Sequence, residues 1–299
     1  MFTGSLVAIV TPFRQGKVDE RALAELIEWQ IANGTNGVVP CGTTGESATL
    51  SHSEHNRVIE LTVEVVRRRV PVIAGTGSNS TEEAITLTKH AKQAGADGAL
   101  LITPYYNKPT QEGLYRHYMA VAGAVDLPLL LYNIPGRTGV NMLPSTIARL
   151  SDMKTIVGVK EGSGSVQQAS DIVQMCGDRL TVLAGDDSLT LPMMAVGGKG
   201  VITVTANIVP MEMAGLVKAF AEAAMVGGLD DWFAVTALFR HPLGLPIPHT
   251  AIIPRNKDRI ADTMANFLRQ NFLTPQVVAR RLSGMNLAGA AGDWLADPA

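Results

Sequence analysis

The sequence has few cysteines, few aromatic residues, no excess of either charge and no long hydrophobic run. Its 299 residues include two cysteines, Cys41 and Cys176, which suits a reducing compartment better than a disulfide-stabilised secreted protein. With 25 basic and 27 acidic residues, it has no positive excess to neutralise nucleic-acid phosphates. No apolar run approaches the roughly 20 residues that span a bilayer, and no basic segment of a signal peptide opens the chain. These features predict a soluble, cytoplasmic protein with neither a nucleic-acid nor a membrane partner.

Eight short apolar runs recur along the first two-thirds of the chain. Most are nearly continuous in Val, Ile and Leu, as in parallel strands that are buried on both faces. The predicted strands cover residues 5–10, 37–40, 70–74, 98–103, 127–132, 155–160, 180–184 and 200–204.

The segments between these runs have helical patterns. Residues 21–33 place apolar side chains on one stripe. Ser51 with Glu54, and Ser80 with Glu83, each predict a capping box at the start of a helix. An alternation of strands and helices over eight units predicts a (β/α)8 barrel. An open doubly wound sheet is the alternative, but no Gly-x-Gly-x-x-Gly follows the first strand.

The end of the chain differs from the part before it. Helical patterns cover residues 211–226 and 257–270, but no strand series continues there. We therefore expect a barrel domain over residues 1–222 and a C-terminal helical appendage over 223–299.

Polar residues collect where the predicted strands end, which is where barrel enzymes carry their chemistry. The turn at 41–46 offers backbone N–H groups and two hydroxyls to a small anion, although an ordinary loop would look similar. Tyr105 and Tyr106 follow the fourth strand, where they could equally be packing residues. Tyr132 ends the fifth strand, and Arg137 lies in the next loop, where it could clamp a carboxylate or form a surface ion pair.

Lys160 is the most informative residue, because it ends an apolar strand at the predicted barrel mouth. Burial there would lower its pKa and leave a neutral, nucleophilic amine. A structural lysine would need a buried carboxylate, and the neighbouring Glu161 points the opposite way in an extended strand. A lysine with a nearby tyrosine for proton transfer predicts a class I aldolase-type site without metal or cofactor.

Metal and hydrolase sites compete poorly with this interpretation. His52 and His55 are close in sequence but lack a convincing third metal ligand. Residues 162–165 are only a shifted near-match to a nucleophile elbow. We therefore expect neither a metal site nor a serine hydrolase.

Several motifs together resemble the dihydrodipicolinate synthase (4-hydroxy-tetrahydrodipicolinate synthase) family, within the superfamily of N-acetylneuraminate lyase and other pyruvate-dependent class I aldolases. They occur in order from residue 1 to about residue 220, at residues 2–4, 42–47, 103–107, 132–139 and 160–161.

The resemblance implies a role for each matched residue. Lys160 would form a Schiff base with pyruvate, and the enamine would add to L-aspartate 4-semialdehyde in lysine and diaminopimelate biosynthesis. Tyr132, Thr43 and Tyr106 would relay protons, with Tyr106 supplied across a tight dimer interface. The remaining substrate contacts would come from Thr44 for the pyruvate carboxylate, Arg137 for the aldehyde substrate's carboxylate, and Gly185 and Ile202 in the lining of the site.

The resemblance also implies a homotetramer, built as a dimer of tight dimers, and feedback inhibition by L-lysine. The implied lysine site consists of Ser47, Ala48, His52, His55, Asn79, Glu83 and Tyr105.

Two alternatives stay open at this level. The chain could be another pyruvate-dependent aldolase such as N-acetylneuraminate lyase, although Arg137 favours a small substrate with its own carboxylate. It could also be a non-catalytic relative that only binds pyruvate or lysine.

After about residue 222 the resemblance ends, and residues 245–249 and 292–295 depart from the family pattern. A divergent appendage or a change of reading frame would explain that departure.

Overall fold

The computed structural model describes residues 2–239, 257–259, 261–262 and 266. The chain divides into two compact units, Met1–Ala223 and Ala224–Ala299. Residues 245–249, residues 292–295 and most of the predicted helix 257–270 lie outside the described part. No described helix combines the length and apolar character needed to cross a membrane.

The described part contains ten strands. They are β1 (Gly4–Ala8), β2 (Phe13–Arg14), β3 (Lys17–Val18), β4 (Gly37–Val39), β5 (Ile73–Gly75), β6 (Gly98–Ile102), β7 (Leu129–Asn133), β8 (Ile156–Glu161), β9 (Thr181–Ala184) and β10 (Gly200–Thr203). The α-helices are α1 (Glu20–Ala32), α2 (His52–Val66), α3 (Thr81–Ala94), α4 (Gln111–Ala124), α5 (Pro135–Thr138), α6 (Pro144–Leu150), α7 (Val166–Cys176), α8 (Thr190–Ala195) and α9 (Pro210–Phe239).

Eight of these strands form one parallel sheet in the order β4-β1-β10-β9-β8-β7-β6-β5. Its two ends meet through the bridge between Val38 and Val72 and a hydrogen bond from Gly75 N to Pro40 O of 2.9 Å. Gly75 allows this approach, because a side chain there would collide with the Cys41 carbonyl. The eight predicted strands and the (β/α)8 barrel are confirmed. The exposed β2–β3 hairpin was not predicted.

The helix starts follow the predicted caps with one correction. Ser51 and Glu54 form the complete capping box of α2. At α3, the Ser80 hydroxyl accepts from Glu83 N, but the Glu83 carboxylate instead accepts from Ser78 Oγ and bonds to His52. The prediction of a second capping box was therefore wrong in one of its two hydrogen bonds. The Glu83 carboxylate does not bond back to the Ser80 backbone, because Ser78 and His52 bind it instead.

Apolar side chains fill the barrel interior and the layer between strands and helices. The interior cluster includes Leu6, Leu130, Leu183 and Ile202, with Tyr132 among them. Side chains alternate between the two faces of each strand. Along β7 and β8, successive side chains therefore point alternately into the barrel and outward.

Candidate active site

Two side chains at the mouth of the barrel lie side by side on neighbouring strands. Tyr132 on β7 and Lys160 on β8 are direct register partners. The Lys160 ammonium nitrogen lies 4.3 Å from the centre of the Tyr132 ring. Lys160 is 4% exposed, and within the described residues it forms no salt bridge. The sheet register thus places a buried amine against a phenol.

The surroundings of Lys160 change its protonation. Burial lowers its pKa to about 8, the negative charge of Asp187 opposes this shift, and the positive charge of Arg137 adds to it. Each pKa unit changes the ratio of neutral to charged amine tenfold. The neutral fraction at pH 7 is therefore about two orders of magnitude larger than for an ordinary lysine, and neutral amine is the nucleophilic form.

Tyr132 has the opposite shift. Burial raises the pKa of its phenol, while the positive charge of Arg137 and a hydrogen bond with Thr43 lower it in part. The phenol therefore stays protonated at neutral pH. It can donate a proton and, through Thr43 in the turn after β4, exchange it with a neighbouring hydroxyl.

Glu161 points away from Lys160, as the extended strand predicts. Its carboxylate is fully buried and accepts hydrogen bonds from Ser163 N at 2.7 Å, Gln168 Nε2 at 3.0 Å and Asn133 Nδ2 at 3.1 Å. Asn133 and Glu161 are register partners, one step beyond Tyr132 and Lys160. This outer layer ties the two strand ends together behind the site and leaves Lys160 without a neutralising partner there.

Asp187 is a residue of the site that the sequence reasoning missed. Its Oδ2 atom accepts hydrogen bonds from Val204 N at 3.1 Å, Thr205 N at 3.0 Å and Thr205 Oγ1 at 2.8 Å. Its Oδ1 atom is buried and has no hydrogen-bond partner among the described residues. The three donors fix a carboxylate whose negative charge acts on Lys160.

A cavity of about 940 Å³ opens beside these residues. Thr43, Tyr132 and Arg137 line one part of it, and Arg137 projects from the short helix α5 that follows β7. The other residues of the predicted sites that line the cavity are Ser47, Ala48, His52, His55, Glu83, Tyr105 and Tyr106.

Five residues of the predicted sites do not line this cavity. Lys160 adjoins it through Tyr132, and Ile202 lies in the barrel interior. Thr44 is half-buried in the turn after β4. Gly185 N donates to Glu161 O at 2.7 Å, and the main-chain oxygen of Asn79 accepts from Asn107 Nδ2 at 3.3 Å.

Tyr106 occupies an unusual position. It is 89% exposed, and its backbone has a φ of 70°, which a bulky residue rarely adopts. The structure therefore presents this phenol at the rim of the cavity, separate from the buried Tyr132.

A second group of polar side chains lies in the same cavity, at the starts of α2 and α3. His52 Nε2 lies 2.9 Å from Glu83 Oε1. The hydrogen bond from Ser78 lowers the pKa of Glu83, with a smaller contribution from His52, so the carboxylate is ionised at neutral pH. Burial lowers the pKa of His55 to about 4, so its ring is neutral. This end of the cavity therefore offers a negative charge beside a neutral imidazole.

No cluster of three or more His, Cys, Asp or Glu side chains that could hold a metal ion occurs among the residues that the structure describes. The mouth of the barrel brings together an amine, a phenol, a hydroxyl and a guanidinium.

Two family models match the chain. Residues 1–227 match the dihydrodipicolinate synthetase family. Residues 221–299 match a second family, described as a protein of unknown function (DUF445). The segment whose pattern departs from the first family thus resembles another one.

Individual sequence relatives and solved structures are also similar to this chain. The 4-hydroxy-tetrahydrodipicolinate synthase of Geotalea daltonii is 68% identical over 225 residues, which are 75% of this chain and 78% of that protein. The Acinetobacter baumannii dihydrodipicolinate synthase, solved with pyruvate, is 47% identical and has a TM-score of 0.73; the match covers 83% of this chain and 86% of that one. The enzyme of Cyanidioschyzon merolae, solved with lysine bound, is 39% identical and has a TM-score of 0.72; that match covers 85% and 88% of the two chains.

Proposed function

Since the chain belongs to the dihydrodipicolinate synthetase family, we propose that it is a lyase that condenses pyruvate with L-aspartate 4-semialdehyde through a Schiff base on Lys160. The observation that carries this proposal is a buried lysine, with its pKa lowered to about 8, packed on the ring of a protonated tyrosine. The product would enter lysine and diaminopimelate biosynthesis.

The first half of the reaction uses the amine and the phenol. The neutral Lys160 nitrogen attacks the pyruvate ketone carbon, and the carbinolamine oxygen leaves as water after accepting a proton, so that an iminium cation forms. Loss of a methyl proton then gives the enamine. Tyr132 is well placed to move these protons, with Thr43 as its partner and Tyr106 as the outer member of the relay.

The second half needs groups that hold two carboxylates. Thr44 and the backbone of the turn after β4 would hold the pyruvate carboxylate, with Gly185 and Ile202 shaping the pocket. Arg137 lines the cavity and can bind the carboxylate of aspartate semialdehyde in a bidentate manner. An arginine at this position favours a small substrate with its own charge over an uncharged sugar.

The substrate assignment leads to a direct comparison. The full chain should consume pyruvate with L-aspartate 4-semialdehyde and show little or no reaction with pyruvate and N-acetylmannosamine. Coupled assays of pyruvate loss at matched substrate concentrations test this. Faster consumption with N-acetylmannosamine would assign the chain to the N-acetylneuraminate lyase branch and refute the proposed substrate.

Feedback inhibition by L-lysine forms the regulatory part of the proposal. Six of the proposed lysine-site residues line the cavity, and one of them, the ionised Glu83, would supply the counter-charge that a ligand ammonium group needs. The lysine-bound Cyanidioschyzon merolae enzyme supports the same assignment. Asn79 completes the proposed set from the loop that precedes α3.

Millimolar L-lysine is therefore expected to reduce the rate, and Glu83→Gln to weaken the inhibition about tenfold or more, because it removes the charge that pairs with the ligand. The measurement is the lysine concentration at half inhibition, with each variant normalised to its own uninhibited rate. Glu82→Gln is the matched control, since Glu82 is an exposed neighbour on α3. An unchanged wild-type rate at millimolar lysine would remove the regulatory proposal.

The assembly and domain organisation are also proposed. We expect a homotetramer of two tight dimers, because the exposed Tyr106 would then complete the relay of a neighbouring subunit. The catalytic barrel would end at about residue 222; the second family match from residue 221 and the unit boundary after Ala223 support this division. Two free, buried cysteines suit the proposed cytoplasmic location.

A further inference from the structure

We infer that Asp187 is a positioning residue for the Schiff-base lysine: held by the loop after β10, its carboxylate is the fixed counter-charge of both the Lys160 ammonium and the iminium that replaces it. This inference rests on the proposed function and adds a residue to its machinery.

The Asp187 carboxylate is fixed by hydrogen bonds to only one of its two oxygens. Asp187 lies in the loop after β9, and all three of its hydrogen bonds come from residues 204 and 205, immediately after β10. These bonds occupy Oδ2 alone and leave Oδ1 buried without a hydrogen-bond partner among the described residues. A buried carboxylate oxygen that lacks a donor is costly unless a positive charge compensates it.

The charged groups around Lys160 differ in sign and orientation. Arg137 repels the ammonium, and Asp187 is the acidic group that attracts it. Glu161 faces away and is already bonded to Ser163, Gln168 and Asn133. The Tyr132 phenol is uncharged at neutral pH because burial raises its pKa. Asp187 therefore supplies the negative charge for any cation at the Lys160 nitrogen.

The charge on the Lys160 nitrogen changes during the proposed reaction. Conversion of ammonium and ketone into iminium and water keeps one positive charge on the nitrogen, whereas the neutral amine must take up a proton to reach the iminium. The enamine is neutral again. A fixed carboxylate stabilises the ammonium and the iminium alike, so its removal has different effects below and above the lysine pKa.

Asp187→Asn is therefore expected to move the pH midpoint of adduct formation downward by about one unit, since loss of the counter-charge lowers the lysine pKa further. Well above the midpoint, pyruvate affinity should fall about tenfold, the factor that corresponds to one pKa unit. Well below it, affinity should stay unchanged. The measurement is borohydride trapping with pyruvate across a pH series, quantified by intact mass on the full chain.

Two control variants separate charge from loop structure. Asp186→Asn removes a neighbouring exposed carboxylate that bonds only within its own turn, to Ser188 at 2.8 and 3.1 Å, and should leave the midpoint in place. Thr205→Val removes one donor to Asp187 but keeps the charge, and should also leave the midpoint nearly unchanged. If Asp187→Asn shows the wild-type profile, or Thr205→Val shifts it equally, the inference is wrong. Absence of any adduct in the wild type would instead refute the Schiff-base function.

Discussion

Replacement of Lys160 by alanine is expected to lower turnover of pyruvate with aspartate semialdehyde by about three orders of magnitude or more, since it removes the nucleophile and with it the covalent route. Lys160 ends β8, is 4% exposed and has a pKa lowered to about 8, which makes its amine reactive near neutral pH. Steady-state assays at saturating pyruvate would measure the loss. Lys160→Arg should be equally inactive, because it retains a positive charge but is not nucleophilic.

Lys154→Ala is the matched control for this experiment. Lys154 is exposed and lies just before β8, at the opposite end of the strand from the site. It should retain the wild-type rate. A Lys160→Ala variant with close to wild-type turnover would mean that the reaction does not pass through this amine.

Replacement of Tyr132 by phenylalanine is expected to lower kcat by about 10²- to 10³-fold, within the range of general acid–base catalysis. The ring would still fill its place in the barrel interior and support Lys160, while the proton donor and its hydrogen bond with Thr43 would be lost. The expected signature is a fall in kcat that exceeds any change in KM for pyruvate, as measured by steady-state kinetics.

Tyr118→Phe provides the comparison for a buried phenol outside the site. Tyr118 lies on α4, is fully buried, and donates a hydrogen bond to Leu101 O at 3.1 Å. Its removal should cost about 1 kcal/mol of stability while kcat is retained. Equal kcat losses in the two variants would indicate a shared structural effect and contradict a proton-transfer role for Tyr132.

The barrel could be predicted from the sequence because its strands are buried on both faces. Continuous apolar runs mark such strands, and their ends were placed within about three residues. The β2–β3 hairpin escaped prediction because each strand has only two residues and no hydrophobic pattern. A tight turn at Gln15 and Gly16, both with positive φ, forms it instead.

Residues of the candidate site could be predicted from the sequence where their type is unusual among their neighbours. A lysine at the end of an apolar strand stands out, and so does a tyrosine at the end of the adjacent one. Asp187 does not stand out in the sequence, because the residue before it, Asp186, is also an aspartate. In the structure, Asp187 accepts hydrogen bonds from Val204 and Thr205 in the loop after β10, whereas Asp186 bonds to Ser188 in its own turn.

At Glu83, the contacts in the folded structure differ from those that the local sequence pattern predicts. Its spacing from Ser80 satisfies the capping-box pattern, but Ser78 and His52 take the carboxylate in the structure. Likewise, the pattern after residue 222 indicated a departure from the synthase family, whereas its resemblance to a second family became visible only by comparison. Local spacing identifies candidate partners, and tertiary contacts decide among them.

Formation of a Schiff base between pyruvate and Lys160 can be tested directly by trapping the adduct. The full chain is incubated with pyruvate near pH 8, reduced with borohydride, digested, and analysed by peptide mass spectrometry. We expect one reduced pyruvate adduct per chain, located on the peptide that contains Lys160. A wild-type protein without an adduct, or with its adduct on a different lysine, would contradict it.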